Sequence, residues 1–464
     1  MTRLKDVVII GAGPAGMACA VEAAAKGLST VVLDENPQPG GQVYRAIESA
    51  SENRLRVLGH DYARGRELAS EFRQSSGVDY HPGSTVWNIG PDRLVEFSRD
   101  GKSSAIRASH LVVATGAIER PCPLPGWTLP GVTTAGALQI LLKTSGITYQ
   151  DTVLTGSGPL LWLLAAQMVD AGSPPKAIVE TVPRGRLFNA LPELMTALGA
   201  REYLLKGMSM IRKVKRAGVR IHVGADDIAI EGSGAVSAIR FRSKGTEHRI
   251  ATDAVALHQG VVPNQQVTRL LGCRHFWDDS QKCFRPKLSE DRETSCAHVY
   301  VAGDGGGIEG AKSAEMQGRL VGLAIAEKEG HGTDPRISEL RLTLKREAHV
   351  RPFLEKLYAP SRQILHPDDA TVICRCEEVT AGSVREAVTQ GAPGPNQVKS
   401  FLRTGMGPCQ GRICGLVVTS VISESGGKSP DDVDYYRIRP PLKPLPLAEL
   451  ADYSADIPGS RDTA

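Results

Sequence analysis

No stretch of this 464-residue chain is apolar for the roughly 18–20 residues that a membrane helix needs. The longest apolar runs, around 160–169 and 415–422, are the size of core helices. The net charge is only +4, too small an excess over this length to predict adsorption to nucleic acid or to a membrane surface. VVIIGAGPAG near the N-terminus is a strand and turn, not the apolar centre of a secretion signal. The 11 histidines include no H-x-x-x-H or H-E-x-x-H pair, and no G-x-S-x-G, kinase or phosphate-loop signature occurs. Zinc-hydrolase, serine-hydrolase and kinase chemistries therefore have no sequence support. Nine cysteines without a secretory signal point to metal ligation or reduced thiols in a cytoplasmic protein, not to disulfides.

What is present is glycine, 49 residues of it, in a background 41% hydrophobic and 23% charged. That mixture fits a soluble α/β protein with many strand-to-helix turns, long enough for two or three domains. KDVVII, then GAGPAG, an alanine-rich helical stretch and STVVLDE form a β-turn-α-β unit, the start of a doubly wound sheet. A second such unit appears at 150–181. The expected organisation is a discontinuous nucleotide-binding domain (1–150 and 250–330) with a second one inserted at 151–249. A connector (331–369) with a helix over 336–358, a small cysteine domain (370–430) and an extended proline-rich tail (431–464) follow.

Gly11-x-Gly13-x-x-Gly16 follows a predicted strand and opens a helix, the context that the dinucleotide fingerprint requires. Gly11 permits the tight turn, Gly13 lets a pyrophosphate approach the backbone, and Gly16 lets the helix pack on the sheet. The helix N-terminus supplies N–H groups and a partial positive charge. Asp34, at the end of the second strand, is placed to bind the ribose, with Glu35 as its rival.

Several segments resemble the two-domain flavoprotein reductases of the thioredoxin-reductase and glutathione-reductase type. LVVATG at 111–116 is similar to their strand and turn at the domain crossover. VYVAGD at 299–304 is similar to their second flavin motif, and PGGQ at 39–42 to the segment near the ribityl chain and isoalloxazine. The resemblance implies two interleaved Rossmann-like domains and bound FAD. The contacts implied are Gly11, Gly13, Pro14, Ala15, Gly16, Asp34, Glu35, Gly41, Gln42, Arg45, Val86, Thr115, Gly116, Gly303 and Asp304. One departure matters: Cys19, Cys122, Cys273, Cys283 and Cys296 are the only cysteines before residue 370, none at C-x₂-C or C-x₄-C spacing. Dithiol chemistry beside the flavin is not expected.

Gly156-x-Gly158-x-x-Leu161 repeats the fingerprint with its third glycine replaced. Leucine there should push the helix from the strand. Glu180 stands where a ribose-binding acid belongs, whereas Arg184 and Arg186 would favour a 2′-phosphate. A working NAD(P)H site, a vestigial one and a mononucleotide site all remain open. His258, Trp127 and Trp162 are read as structural.

Cys374-x-Cys376 and Cys409-x₄-Cys414 lie near the C-terminus. Four thiolates suit a [2Fe–2S] cluster or tetrahedral zinc, with disulfides or free thiols as the remaining alternatives. GMGPCQGRICG offers glycines whose N–H groups can face sulfur, and Arg375, Arg403 and Arg412 could offset negative charge. The segment ICRCEEVT…VKSFLRTGMGPCQGRIC resembles the bacterioferritin-associated ferredoxin-like domain, which implies Cys374, Cys376, Cys409 and Cys414 as ligands of a [2Fe–2S] cluster.

The order of modules, with GGQVYR, TGAIERPCPLPGWTLPGV and YYRIRPPLKPLPL, resembles the alpha subunits of heteromeric flavin dehydrogenases that oxidise amino-acid-derived amines. Octopine and nopaline oxidases, D-hydroxyproline dehydrogenase and hydrogen cyanide synthase are the type members. The resemblance implies a flavin-containing beta subunit that oxidises the amine, room for a small gamma subunit, and an external acceptor (quinone, carrier or oxygen). It implies no catalytic acid or base in this chain. Two other readings stay open: a self-contained NAD(P)H-dependent ferredoxin-type reductase, and a scaffold with a zinc-bearing C-terminal domain.

Overall fold

The computed structural model describes residues 4–197 and 201–453. Strand β1 (Leu4–Ile10), helix α1 (Pro14–Ala25) and strand β2 (Thr30–Asp34) form the first unit. Val7, Val8 and Ile9 of β1 are fully buried, because both faces of the sheet are covered. Strands β3 (Val78–Pro82), β4 (Thr85–Gly90), β5 (Leu94–Arg99) and β6 (Lys102–Val113) complete the order β3-β2-β1-β6-β5-β4. β5 and β4 run antiparallel at one side. Val299–Val301 returns to pair in parallel with the end of β6, so the late segment rejoins the first sheet.

Helix Ala311–Lys328 crosses α1 so closely that its glycines have backbone for neighbours. A Cβ on Gly318 would lie 2.1 Å from the Ala15 carbonyl oxygen, and one on Gly322 2.7 Å from that of Cys19. Cys19 is wholly buried, and burial pushes its thiol pKa up.

The second sheet is parallel throughout, in the order 220–223, 177–180, 153–157, 255–259, 132–134. Two of its strands, 132–134 and 255–259, lie outside the expected span 151–249. The chain enters and leaves this unit through the short antiparallel pair 117–119 and 261–263, so the crossover sits further out at both ends. An antiparallel three-stranded sheet, 226–251, packs against it.

The connector helix expected over 336–358 is two helices, Arg336–Ala348 and Arg351–Leu357. Pro352 in the first turn of the second cannot donate a backbone hydrogen bond, which breaks the run. Helices Ala381–Thr389, Pro395–Leu402 and Gly415–Gly426 form the cysteine domain, with Ile373, Val384, Val398, Val418 and Val421 buried among them. The proline-rich tail lies on this chain's own surface. Leu442 N donates to Trp87 O (2.7 Å), Tyr453 Oη to Glu96 (2.7 Å), and Lys443 pairs with Glu35. Positions 454–464 of the expected tail lie outside the described residues. Among the described residues no helix is long and apolar enough to cross a membrane.

Gly318→Ala should force α1 and its partner helix apart. Overpacking of this kind costs about 1–3 kcal/mol, more than the roughly 1 kcal/mol that alanine gains in helix propensity. The expected outcome is a lower thermal midpoint by calorimetry; an unchanged one would show slack at this crossing.

Candidate functional site

The first glycine turn is built by close approach. Gly11 has φ +104°, and a Cβ there would lie 2.5 Å from Ala114 O. A Cβ on Gly16 would lie 1.8 Å from Gly11 O, so only glycine lets the helix seat on the strand. Gly13 precedes α1, which has no side-chain cap, and Pro14 occupies its first turn. The N–H groups of Ala15 and Gly16 are thus left for an anion.

Gly41 faces Gly13: its Cβ would come within 2.9 Å of Gly13 Cα. Gly303 closes the same turn, its Cβ position 3.1 Å from Ala15 Cβ and its N–H donating to Gln317 Oε1 (2.8 Å). Thr115 follows Ala114 directly, and Gly116 O accepts from Asn264 N (3.0 Å).

Asp34 is buried beside this turn. Its Oδ2 accepts from Ala12 N (2.5 Å), and its Oδ1 accepts from Asn36 N and Nδ2 (2.7 and 2.8 Å). Glu35 points elsewhere, exposed and paired with Lys443 of the tail. Asp304 Oδ1 accepts from Glu309 N and Gly310 N, both 2.9 Å, which fixes its carboxylate. Arg45 donates to Asn36, while Gln42 is exposed and Val86 is packed in the core. Two orphaned polar atoms mark the cradle: Arg45 Nε and Thr115 Oγ1 are buried without a partner. A glycine-lined turn and unpaired donors fit a dinucleotide such as FAD.

One neighbour carries no sequence signal. Lys143, 5% exposed, donates to Gln42 O and Gln139 Oε1, both at 2.9 Å. Burial lowers its pKa to about 7, and the nearby Arg45 charge adds to that.

The four C-terminal cysteines meet. The Cys414 thiol lies within reach of both the Cys374 and Cys409 sulfurs, its single proton available to either, and Cys376 lies beside Cys409. The Cys414 hydrogen bond lowers the Cys374 thiol to about 6 and that of Cys409 to about 5. Backbone N–H groups of Gly405 and Glu377 act on Cys374, and those of Ile413 and Gly411 on Cys409. Cys414 itself, as the shared donor, is raised. Gly407 passes so near that a Cβ would lie 2.3 Å from Cys376 Cβ. Among the described residues no set of three or more His, Cys, Asp or Glu is spaced for a single ion; the thiols touch in a chain. Four soft donors ringed by N–H groups fit a [2Fe–2S] cluster.

Of the arginines expected near the cluster, Arg375 lies over the Trp127 ring (5.3 Å), Arg403 is paired with Glu377 (3.0 Å), and Arg412 donates to Leu442 O (3.0 Å). Their first engagements are with protein groups. Trp127 also donates to Val372 O (2.7 Å), which docks the cysteine domain on the crossover loop. Tyr436, part of the YYRIRPPL segment but not assigned to the site from sequence, places its hydroxyl 3.7 Å from Cys414 Sγ.

The second glycine turn is already filled. Leu161 is fully buried in the helix–sheet core, and His258, paired with Glu119 (2.9 Å), sets its ring against Gly158. Glu180 accepts from Trp162 Nε1 (3.2 Å), and burial raises its pKa. Arg184 is exposed, whereas Arg186 turns to the Ala359 carbonyl. Ser361 N donates to Gln259 Oε1 (3.1 Å), the same atom that accepts from Ser157 of the turn (3.3 Å). Segment 358–361 of the connector thus lies at the carboxyl ends of the strands, where a nucleotide would sit.

Known proteins resemble the chain over both regions. The family described as pyridine nucleotide-disulphide oxidoreductase matches residues 5–318, and the BFD-like [2Fe-2S] binding domain matches residues 372–424. The chain is 42% identical to an opine oxidase subunit from Rhizobium meliloti, over 97% of this chain and 99% of that one. It is 33% identical to hydrogen cyanide synthase subunit HcnB of Pseudomonas aeruginosa, over 97% and 99% respectively. Its fold is similar to that of L-proline dehydrogenase from P. horikoshii (TM-score 0.70, 21% identity, 97% of this chain and 80% of that one).

The buried Lys143 gives a pH test. Between about 7 and the ordinary value of 10.5 the unfolded chain holds a proton here that the folded chain lacks, so stability rises with pH through that window. Lys143→Met should flatten that rise in denaturant unfolding of the apoprotein. An unaltered slope would show that the folded chain keeps the ammonium charged.

Proposed function

The chain belongs to the pyridine nucleotide-disulphide oxidoreductase family, and from that premise we propose that it is the electron-relay subunit of a heteromeric flavin dehydrogenase. In this reading a flavin-containing beta subunit, with room for a small gamma subunit, oxidises an amino-acid-derived secondary amine of the opine or D-hydroxyproline class. The present chain is an oxidoreductase holding FAD and a [2Fe–2S] cluster. When bound, FAD supplies two-electron acceptance and the cluster one-electron transfer.

The observation that carries the reading is one chain, similar over 97% of its length to a named oxidase subunit, that joins a flavin-type glycine turn to a four-thiol site. Each residue has a part. Gly11, Gly13 and Gly16 bring the α1 N–H groups to the pyrophosphate, with Pro14 and Ala15 shaping the first turn. Asp34, not Glu35, faces that turn and would take the ribose hydroxyls; Asp304 would take the ribityl chain. Gly41, Gln42, Arg45, Val86 (through its backbone), Thr115, Gly116 and Gly303 would line the rest. Cys374, Cys376, Cys409 and Cys414 would hold the cluster, with backbone N–H groups stabilising the thiolates.

Against a stand-alone NAD(P)H reductase speaks the crowding of the second turn, where Ser361 and Ser157 share Gln259 and the His258 ring packs on Gly158. Electrons would then arrive from the partner and leave to a quinone, a carrier or oxygen. Nine free cysteines suit the reducing cytoplasm.

Two measurements test the reading. Cys409→Ser should abolish the cluster's EPR and visible bands and the reduction of acceptor, with flavin retained; full turnover without a cluster would refute the relay. Anaerobic addition of NADPH or NADH to the purified holo chain should leave the flavin and cluster bands unbleached, while dithionite bleaches both. Rapid bleaching by either nucleotide would make the chain a reductase in its own right.

A further inference from the structure

The cluster site is lopsided. Cys374 and Cys414 are 1% exposed and belong to the core, whereas Cys376 is exposed. Around Cys376 runs the loop that carries Gly405, Gly407 and Cys409, with Met406 44% exposed at its crest. Helix Pro395–Leu402 leads into this loop and carries Phe401, 63% exposed, in its last turn; Arg403, just past the helix, pairs with Glu377 beside Cys376.

The face is basic around these apolar tips. Arg375 and Lys399 lie over aromatic rings (Trp127 at 5.3 Å, Tyr436 at 5.7 Å) and not against carboxylates. Lys399 also feels the charge of Arg439, which is exposed on the neighbouring segment. Beside Cys376 the acids are Glu377, already paired, and the exposed Glu378; the exposed Asp431, Asp432 and Asp434 lie at the other end of the helix, where Val433 meets Gly394.

Resting on the reading above, which places a [2Fe–2S] cluster here, we propose that this face docks a separate, acidic one-electron carrier protein and that electrons leave through the Cys376 edge. The step is simple to balance. Each encounter oxidises the reduced cluster by one electron and reduces the carrier's oxidised centre by one; no proton or group moves. Two encounters empty a hydride equivalent.

Three observations favour a transient carrier over a permanent partner chain. Of the four thiols Cys376 is the exposed one, with Cys409 half-buried beside it, so a cluster held here would be approached from that side. Two isolated apolar tips within a cationic rim are the composition of a weak, electrostatically steered contact. A denser apolar set lies elsewhere, on the second domain, where Leu187, Phe188, Leu191, Met195 and Leu205 are 44–75% exposed. A permanent partner chain buries a surface of that kind.

The test uses the native complex with its partner chains and a small acidic plant-type ferredoxin as probe. Affinity is measured by calorimetry at about 20 mM and about 200 mM salt, where screening differs strongly. We expect binding at low salt that weakens at least tenfold at high salt, and a comparable loss in the Lys399→Glu, Arg439→Glu double variant and in Phe401→Ser. Cluster EPR should be intact in both variants, and reoxidation of the reduced complex by neutral benzoquinone should be unchanged. Binding that ignores salt and charge reversal, or a face already protected from hydroxyl-radical labelling by a partner chain, would overturn the proposal. A purified complex without cluster signals would instead refute the functional reading beneath it.

Discussion

The arrangement depends on one shared apolar core. Val8, Ile10, Val299 and Val301 of the first sheet and Ile373, Val384, Val418 and Tyr435 of the cysteine domain belong to a single buried cluster. A domain of about 60 residues buries too little surface to be secure alone. Here its remaining apolar face is closed by the sheet that cradles the dinucleotide. Arg269 locks the junction, its guanidinium 4.7 and 4.8 Å from the rings of Phe284 and Tyr435 and paired with Asp434. Asp431 adds a hydrogen bond from Trp277 N (2.7 Å). The two redox sites are therefore held by one continuous packing, and their separation cannot vary without exposing that core.

Close backbone contact was legible in the sequence because it leaves a residue type behind. Gly11 and Gly16 stand where any Cβ would meet a carbonyl, so the spacing reported the geometry directly. The cysteine pairs were legible for a similar reason: few arrangements other than ligation bring four thiols together. Asp34 was identified from its distance along the chain, and the structure separates it from Glu35 by the direction each side chain takes from the strand end.

What sequence could not show was contact between distant segments with no special residue type. Ser361 reaches the second glycine turn through a backbone N–H, which any residue but proline would supply. Leu161 was expected to wedge the helix from its strand; it is instead absorbed into the core between Leu154 and Ile178. Lys143 lies in helix 135–145, and its burial follows from how that helix docks on the segment around Gln42, with Gln139 one turn back in the same helix as its second partner. The arginines near the cysteines in sequence engage protein groups first: Arg375 and Arg412 find partners far along the chain, and Arg403 pairs with Glu377, the neighbour of Cys376.

The tail has a temporal meaning as well as a spatial one. Leu442, Lys443 and Tyr453 reach back to the first domain at Trp87, Glu35 and Glu96. Domains usually fold in the order in which they emerge from the ribosome. In this chain the first domain to be translated waits for residues 442–453 before it can make these contacts. They are late events of synthesis, and a polypeptide cut short before residue 442 lacks all three.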